Sequence, residues 1–187
     1  MRRAAHLVSR FIGSLRPRAL DAETLAWVQR TLEPRELYVW EGLGAADRAE
    51  SVAVARRLDV ALANTREATA DTADSTWTAA ALLHDAGKQA SAYGPIGRSV
   101  VTVVAACLGD KTVRGWAAGT NRVRGRMGRY AAHDQIGAEL LTVAGARPAL
   151  IAWAEAHHRP DRWRSTGIPP EVCRALAGAD GEPVPRP

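Results

Sequence analysis

The stretch LLHDAGK, at residues 82–88, places an imidazole beside a carboxylate near the expected end of a helix. The residues before it, TWTAAA, are apolar and alanine-rich, which indicates a buried helix that stops at Gly87 with His84 and Asp85 in its last turn. Because neighbouring helical residues project about 100° apart, both can contact one ion only if it lies beyond the helix end. Imidazole nitrogen with carboxylate oxygen suits manganese, iron or magnesium better than a closed structural zinc site. The pair therefore predicts an open metal centre.

The rest of the chain shows helical periodicity, and no region alternates with period two for long enough to suggest a sheet. Helices are predicted over residues 21–32, 34–40, 45–63, 100–108, 130–145, 148–158 and 170–180. At residues 109–129, five glycines are interleaved with five arginines, which favours a basic, flexible flap. The sequence thus predicts an all-α, compact bundle of about six to eight helices.

Composition favours one independently folding unit. The chain has 187 residues, 47% of them hydrophobic, which predicts a single domain over 1–187. Residues 1–46 are expected to form N-terminal helices that pack on a core, beginning with a basic amphipathic helix rather than a signal peptide, and residues 181–187 a flexible tail.

No stretch approaches the roughly 20 apolar residues that cross a bilayer, and two distant cysteines indicate a reducing cytoplasm.

The net charge of +5 comes almost wholly from arginine, because Lys88 and Lys111 are the only lysines. Arginine is the side chain best suited to bidentate contact with phosphate, so anionic partners are expected. The chain carries no recognised nucleic-acid-binding module, which favours a phosphorylated small molecule over nucleic acid.

Four blocks in order resemble the HD-domain superfamily of metal-dependent phosphohydrolases, and within it the HDIG-like subgroup. They are LLHDAGK at 82–88, YAAHDQIGAELL at 130–141, WAEAHHRP at 153–160, and ALAGAD ending at Asp180. The resemblance covers residues 47–180, which it identifies as the metal-binding core. It implies a compact helical fold and a centre of one or two divalent ions, with Mn, Fe, Mg, Ni or Zn as candidates.

The resemblance also implies a role for each matching residue. His84, Asp85 and Asp180 would bind a first ion, and His133, His157 and His158 a second, with Asp85 as the bridging, catalytic ligand. Lys88 lies on the same side of the helix as His84 and Asp85 and is expected to contact the phosphoryl group; a solvated lysine favoured by the helix dipole is the alternative. Arg122 and Arg126 of the predicted flap are expected to bind the substrate; a solvated basic loop is the alternative.

One position departs from the family pattern. Where the family usually has a histidine on the helix before the HD pair, the stretch DRAESVAVA has Glu50. Three readings stay open: Glu50 is a ligand that shifts the metal preference toward oxygen-binding cations, it holds a metal-bound water, or the first site is weakened. Asp134 and Asp161 are not expected to be ligands.

The leading functional hypothesis is metal-dependent hydrolysis of a phosphomonoester or phosphodiester, with a nucleotide as a candidate substrate. The alternative is a degenerate HD domain that acts as a non-catalytic nucleotide-binding or regulatory module. A third hypothesis is an oxygenase of the mixed-valent di-iron kind, whose ligand set resembles that of HD proteins.

Overall fold

The computed structural model describes residues 19–63, 75–91 and 93–184, and in these ranges the chain is helical without a strand. Ten α-helices lie in them: α1 (Ala22–Thr31), α2 (Pro34–Glu41), α3 (Ala45–Ala63), α4 (Ser75–Leu83), α5 (Pro95–Leu108), α6 (Asp110–Gly115), α7 (Arg122–Ala131), α8 (His133–Ala144), α9 (Pro148–Ala156) and α10 (Pro170–Asp180). Short 3₁₀ turns cover Ala86–Ala90, Trp116–Ala118 and Pro160–Ser165. The prediction of an all-α fold is confirmed.

Helix α4 lies at the centre of the core. Trp77 and every residue from Ala79 to Leu83 are buried, as expected for a helix that is apolar all round. Helices α3 and α9 pack against it, and the small alanine side chains allow their close approach. The end of α4, from which the HD pair follows, is therefore inside the protein.

The first two helices add to the same core. Asp21 caps α1 by accepting a hydrogen bond from Thr24 N at 2.8 Å, which satisfies one of the free N–H groups at the helix start. Val28 of α1 and Trp40 of α2 are buried in the core cluster. The structure places α1 and α2 on this core, while the amphipathic helix predicted at 1–18 lies outside the described residues.

Residues 109–129 are largely helical, so the prediction of a flexible flap is wrong. Asn121 caps α7 by accepting hydrogen bonds from Val123 N at 3.1 Å and Arg124 N at 3.0 Å. Gly128 lies so close to the preceding 3₁₀ turn that a Cβ atom there would overlap Ala117 N. The glycine therefore serves close backbone packing rather than flexibility. Helices α6 and α7 bring the count above the six to eight expected.

Helix α7 also holds the turn that follows the HD pair. Arg129 Nε donates to Ala90 O at 3.2 Å, and Arg126 Nε donates to Ser91 O at 2.9 Å. These carbonyl groups lie at the end of the 3₁₀ turn Ala86–Ala90, where the chain has no regular helical partner for them. Two arginines predicted to lie in a mobile region thus fix the segment that carries Lys88.

Gly87 joins this turn to the start of α8 through backbone contact alone. A Cβ atom on Gly87 would overlap His133 O and lie 2.6 Å from Gly137 N. Gly87→Ala is therefore expected to push the turn away from α8 and to lower the free energy of unfolding by about 3 kcal/mol, the upper end of overpacking costs. Thermal denaturation measures the loss. Gly115→Ala is the control, because nothing lies within 4 Å of its Cβ position; equal melting temperatures for the two variants would contradict the packing role of Gly87.

The start of the predicted tail is held in place. Gly181 ends α10 in the left-handed conformation at φ 83°, and Glu182 N donates to Ala177 O at 2.9 Å. Residues 185–187 lie outside the described ranges. No helix in the described ranges is long and apolar enough to cross a bilayer.

Candidate metal centre

Six polar side chains meet where four helices end or begin. They are His84 and Asp85 directly after α4, His133 as the first residue of α8, His157 and His158 directly after α9, and Asp180 as the last residue of α10. The sequence placed the HD pair in the last turn of α4. This helix ends at Leu83, so His84 and Asp85 directly follow it. All of these residues were predicted as ligands, and the structure brings them together.

Three of the histidines are oriented in the same way. Nδ1 of His84, His133 and His157 each lies 2.8 Å from the carbonyl oxygen three residues earlier, on Ala81, Tyr130 and Ala154. These carbonyls belong to the last turns of α4, α7 and α9, where helical partners are missing. Because a carbonyl only accepts, Nδ1 of each ring carries a proton, which leaves Nε2 as the atom that could ligate a metal. This arrangement orients histidine as a metal ligand.

The two oxygens of Asp85 face two sets of donors. Oδ2 lies 3.2 Å from His84 Nε2, which in turn lies 3.5 Å from Asp180 Oδ1. Oδ1 lies 3.2 Å from His133 Nε2 and 3.9 Å from His157 Nε2. Asp85 therefore stands between the two ligand sets that the resemblance implies, as a bridging carboxylate would.

Unsatisfied atoms show that this arrangement fits a cation. His84 Nε2, His157 Nε2 and Asp85 Oδ1 are buried without a hydrogen-bond partner, which is costly unless an ion or water fills the gap. Two donors each about 2.0–2.1 Å from one ion lie roughly 2.8–3.4 Å apart at octahedral or tetrahedral angles. The shorter donor separations around Asp85 fall in this range.

The contact between His133 and His158 gives the same indication. Their Nε2 atoms are 3.1 Å apart, while His158 Nδ1 lies 3.2 Å from Glu182 Oε1 and has a proton to donate there. Two lone pairs would then face each other, which is unfavourable unless a cation or proton lies between them. Within the described residues, Asp85, His133, His157 and His158 form a group whose ligand atoms all lie within 4.8 Å of one another and could hold a metal ion.

Burial and neighbouring charges shift the pKa values of His84 and His157 in opposite directions. Burial alone would lower the pKa of His84, but the carboxylates of Asp85 and Asp180 raise that pKa well above its ordinary value. His157 behaves in the opposite way, because burial together with the charges of His158 and His84 holds its pKa well below the usual range. His157 is thus neutral and ready to ligate, and a divalent cation would release the proton of His84 on binding.

Lys88 belongs to the same cluster. Burial would lower its pKa, but the carboxylate of Asp85 raises it, so the side chain is an ammonium ion. Nζ forms an ion pair with Asp85 Oδ2, and the side chain also lines the adjoining cleft. From this position the ammonium group could contact an anion bound in the cleft.

Glu50 is engaged elsewhere. Arg57 donates from Nη2 to Glu50 Oε1 at 3.1 Å and from Nε to Ala179 O at 2.7 Å. The side chains of Glu50 and Arg57 are 37% and 45% exposed, so this pair lies near the surface. Glu50 is not part of the group of ligand atoms found in the described residues.

An open cleft of about 1060 Å³ adjoins the centre. His133, His158 and Asp180 line it from the centre, and its basic lining residues are Lys88, Lys111, Arg114 and Arg159. Arg122 is exposed at the start of α7 and the guanidinium of Arg126 lies 4.5 Å from the ring centroid of Tyr93; neither lines the cleft. Their assignment to the substrate stays a prediction.

Sequence reasoning missed the cleft residue Arg159, and it did not single out Arg114 among the arginines of residues 109–129. Arg159 carried a signal, since it directly follows the histidine pair at 157 and 158. Arg114 lies in the basic stretch, but its place beside Asp134 depends on a contact between α6 and α8 that the local sequence does not show.

No family model, curated protein or solved structure matches the chain. The HD-domain assignment therefore stays a prediction, carried by the four sequence blocks. The helical fold and the buried His/Asp group rest on the structure alone.

Proposed function

We propose that this protein is a divalent-metal-dependent phosphohydrolase that acts on a phosphomonoester or phosphodiester, with a nucleotide as a candidate substrate. One observation carries the proposal: a buried cluster of imidazole and carboxylate donors around Asp85 opens onto a cleft with basic side chains. Donors of this kind hold catalytic ions, and cationic groups at the cleft suit a phosphorylated ligand.

The roles of the residues follow from their positions. Asp85 would hold both ligand sets together, His133, His157 and His158 would complete one set, and His84 and Asp180 the other. Bound divalent ions would supply an activated water and stabilise the charge that develops on phosphate oxygens. Lys88 would bind a phosphate oxygen from the cleft side and keep Asp85 ionised, since its charge lowers the pKa of that carboxyl against the effect of burial.

A second candidate function is a non-catalytic nucleotide-binding or regulatory module. Glu50 favours it, because this side chain pairs with Arg57 and would leave the first ligand set with fewer donors. Against it stands the complete second set, since all three imidazoles are present around Asp85.

The proposed location of either form is the cytoplasm, where the exposed thiol of Cys107 is kept reduced.

The test combines metal content with a substrate screen. The purified protein is expected to hold a transition metal, measured by inductively coupled plasma mass spectrometry, and to release phosphate or cleave a diester in a nucleotide and phosphoester panel with added manganese. Bound metal without any hydrolysis would favour the regulatory module. Absence of both would reject the enzyme and its metal centre together.

Glu50→Gln tests whether Glu50 is a metal ligand. Because Glu50 is in a partly exposed pair with Arg57, the variant is expected to keep the wild-type metal content and to lose about 0–1 kcal/mol of stability, as for other exposed ion pairs. Metal analysis and thermal denaturation measure the two effects. A clear drop in bound metal would instead identify Glu50 as a ligand.

A further inference from the structure

The wall of the cleft carries a buried carboxylate that is shared by two arginines. Asp134 is fully buried. Its Oδ1 accepts a hydrogen bond from Arg114 Nη1 at 2.6 Å, and its Oδ2 lies 3.6 Å from Arg159 Nη2. Two guanidinium groups thus share one buried carboxylate at the wall of the cleft.

Both guanidinium groups keep donors for a further acceptor. Arg114 uses Nε for Asp110 at 2.5 Å and Nη1 for Asp134, and its Nη2 has no acceptor among the described residues. Arg159 uses Nη2 for Glu155 O at 2.6 Å, and its Nη1 has no acceptor among the described residues. Its Nε and Asp134 Oδ2 are both buried without a hydrogen-bond partner. Such unsatisfied groups are rare in folded proteins and call for a ligand or water. A planar fork with free N–H groups is the arrangement that binds phosphate.

Position in the chain ties this pair to the metal centre. Asp134 directly follows His133, and Arg159 directly follows His158. The Nε2 atoms of these two histidines lie 3.1 Å apart. Lys111, one helical turn from Arg114 on α6, lines the same cleft and has no ion-pair partner in the described part of the chain. The nearby carboxylates of Asp110 and Glu155 are 63% and 48% exposed, so water screens their charge.

We infer that Arg114, Arg159 and Lys111 form a second anion subsite, which binds a phosphate of the substrate other than the one that reacts. The inference rests on the proposed function and makes it more specific: the substrate would carry two phosphate groups, as a nucleoside diphosphate or bisphosphate does. Asp134 is the positioning residue of this subsite, since it holds both guanidinium groups at the cleft wall.

Binding of inorganic pyrophosphate and inorganic phosphate to the metal-stripped full-length protein, measured by isothermal titration calorimetry, tests the subsite apart from catalysis. Pyrophosphate is expected to bind more tightly than phosphate, and Arg114→Met to weaken pyrophosphate binding at least about tenfold, as the loss of a charge-assisted hydrogen bond does. Arg30→Met is the matched control, because Arg30 is exposed on α1 and does not line the cleft, and it is expected to change nothing.

A second variant keeps the test valid if Arg114→Met does not fold. Lys111→Ala removes an exposed side chain and is expected to weaken pyrophosphate binding while the melting temperature stays unchanged. Equal pyrophosphate binding by wild type, Arg114→Met and Lys111→Ala would overturn the subsite, as would absence of pyrophosphate binding by the wild type, even if the metal-loaded protein hydrolyses monophosphates. Pyrophosphate binding through Arg114 in a protein that hydrolyses nothing would uphold the subsite and count against the enzyme.

Discussion

Asp85→Ala is expected to abolish metal binding and hydrolysis while the helical fold remains. Each oxygen of Asp85 faces a different ligand set, with His84 Nε2 at 3.2 Å on one side and His133 Nε2 at 3.2 Å on the other. Loss of this one carboxylate would therefore disrupt both sets at once. Removal of a group that only supports a metal ligand already costs about 10- to 100-fold in affinity or activity, so the loss here should be larger.

Metal content and turnover measure the effect, and circular dichroism reports the fold. Because Asp85 also neutralises Lys88, the alanine variant leaves a buried ammonium without its partner, and Asp85→Asn keeps the size of the side chain as a second test. Asp161→Ala is the matched control, since Asp161 is an exposed aspartate in the turn after the histidine pair. Retained turnover in both Asp85 variants would disprove the assigned role.

The positions of the candidate ligands could be predicted from sequence, because these residues lie at helix ends and sequence patterns indicate where helices end. The apolar, alanine-rich pattern before His84 and the Gly87 stop indicate where α4 ends, and the block order of the resemblance supplies the other ligands. Periodicity does not show that Nδ1 of His84, His133 and His157 would each bind a carbonyl of a helix end. That detail depends on rotamers and on packing between helices, and it is what directs Nε2 toward Asp85.

The incorrect prediction of a flexible flap came from the glycine content of residues 109–129. At residues 109–129 the glycines favoured a flexible flap, yet Gly128 allows α7 to lie against Ala117 and Gly125 is buried in the same helix. A missing Cβ atom permits both freedom and close approach. Only the surroundings decide between them, and those come from segments that are distant in the sequence.

Glu50 shows a similar limit of sequence reasoning. The residue type alone left open a ligand, a holder of bound water or a weakened site. Its partner Arg57 also bonds Ala179 O, which is 122 residues away along the chain. Local sequence cannot show that this long-range bond fixes the arginine, and with it the carboxylate, near the surface.

The stability of the scaffold should depend most on a buried ion pair remote from the centre. Glu36 of α2 is fully buried, and Arg147, the residue before α9, donates to it from the backbone N at 3.1 Å, from Nε at 2.9 Å and from Nη2 at 2.7 Å. The same guanidinium donates to Thr31 O and Thr76 Oγ1, each at 3.3 Å. One side chain thus connects the ends of α1, α2, α4 and α9.

Glu36→Gln is expected to lower the free energy of unfolding by about 3–5 kcal/mol, because removal of one partner leaves a partly buried charge uncompensated. Urea denaturation at neutral pH measures the loss. Glu41→Gln, at the exposed end of the same helix, is the matched control and should change stability by less than about 0.5 kcal/mol.

The dependence of this difference on pH tests its electrostatic origin. Burial would raise the pKa of Glu36, but the hydrogen bonds from Arg147 and from the backbone of Glu33, with the charge of Arg147, lower it below its ordinary value of 4.5. A carboxyl whose folded-state pKa is lowered stabilises the fold fully above its unfolded-state pKa and loses that contribution as the pH falls through the folded-state value. The stability gap between wild type and Glu36→Gln should therefore be widest at neutral pH and should narrow below about pH 4. A gap that stays constant down to acid denaturation would mean that Glu36 acts through shape and hydrogen bonding rather than through its charge.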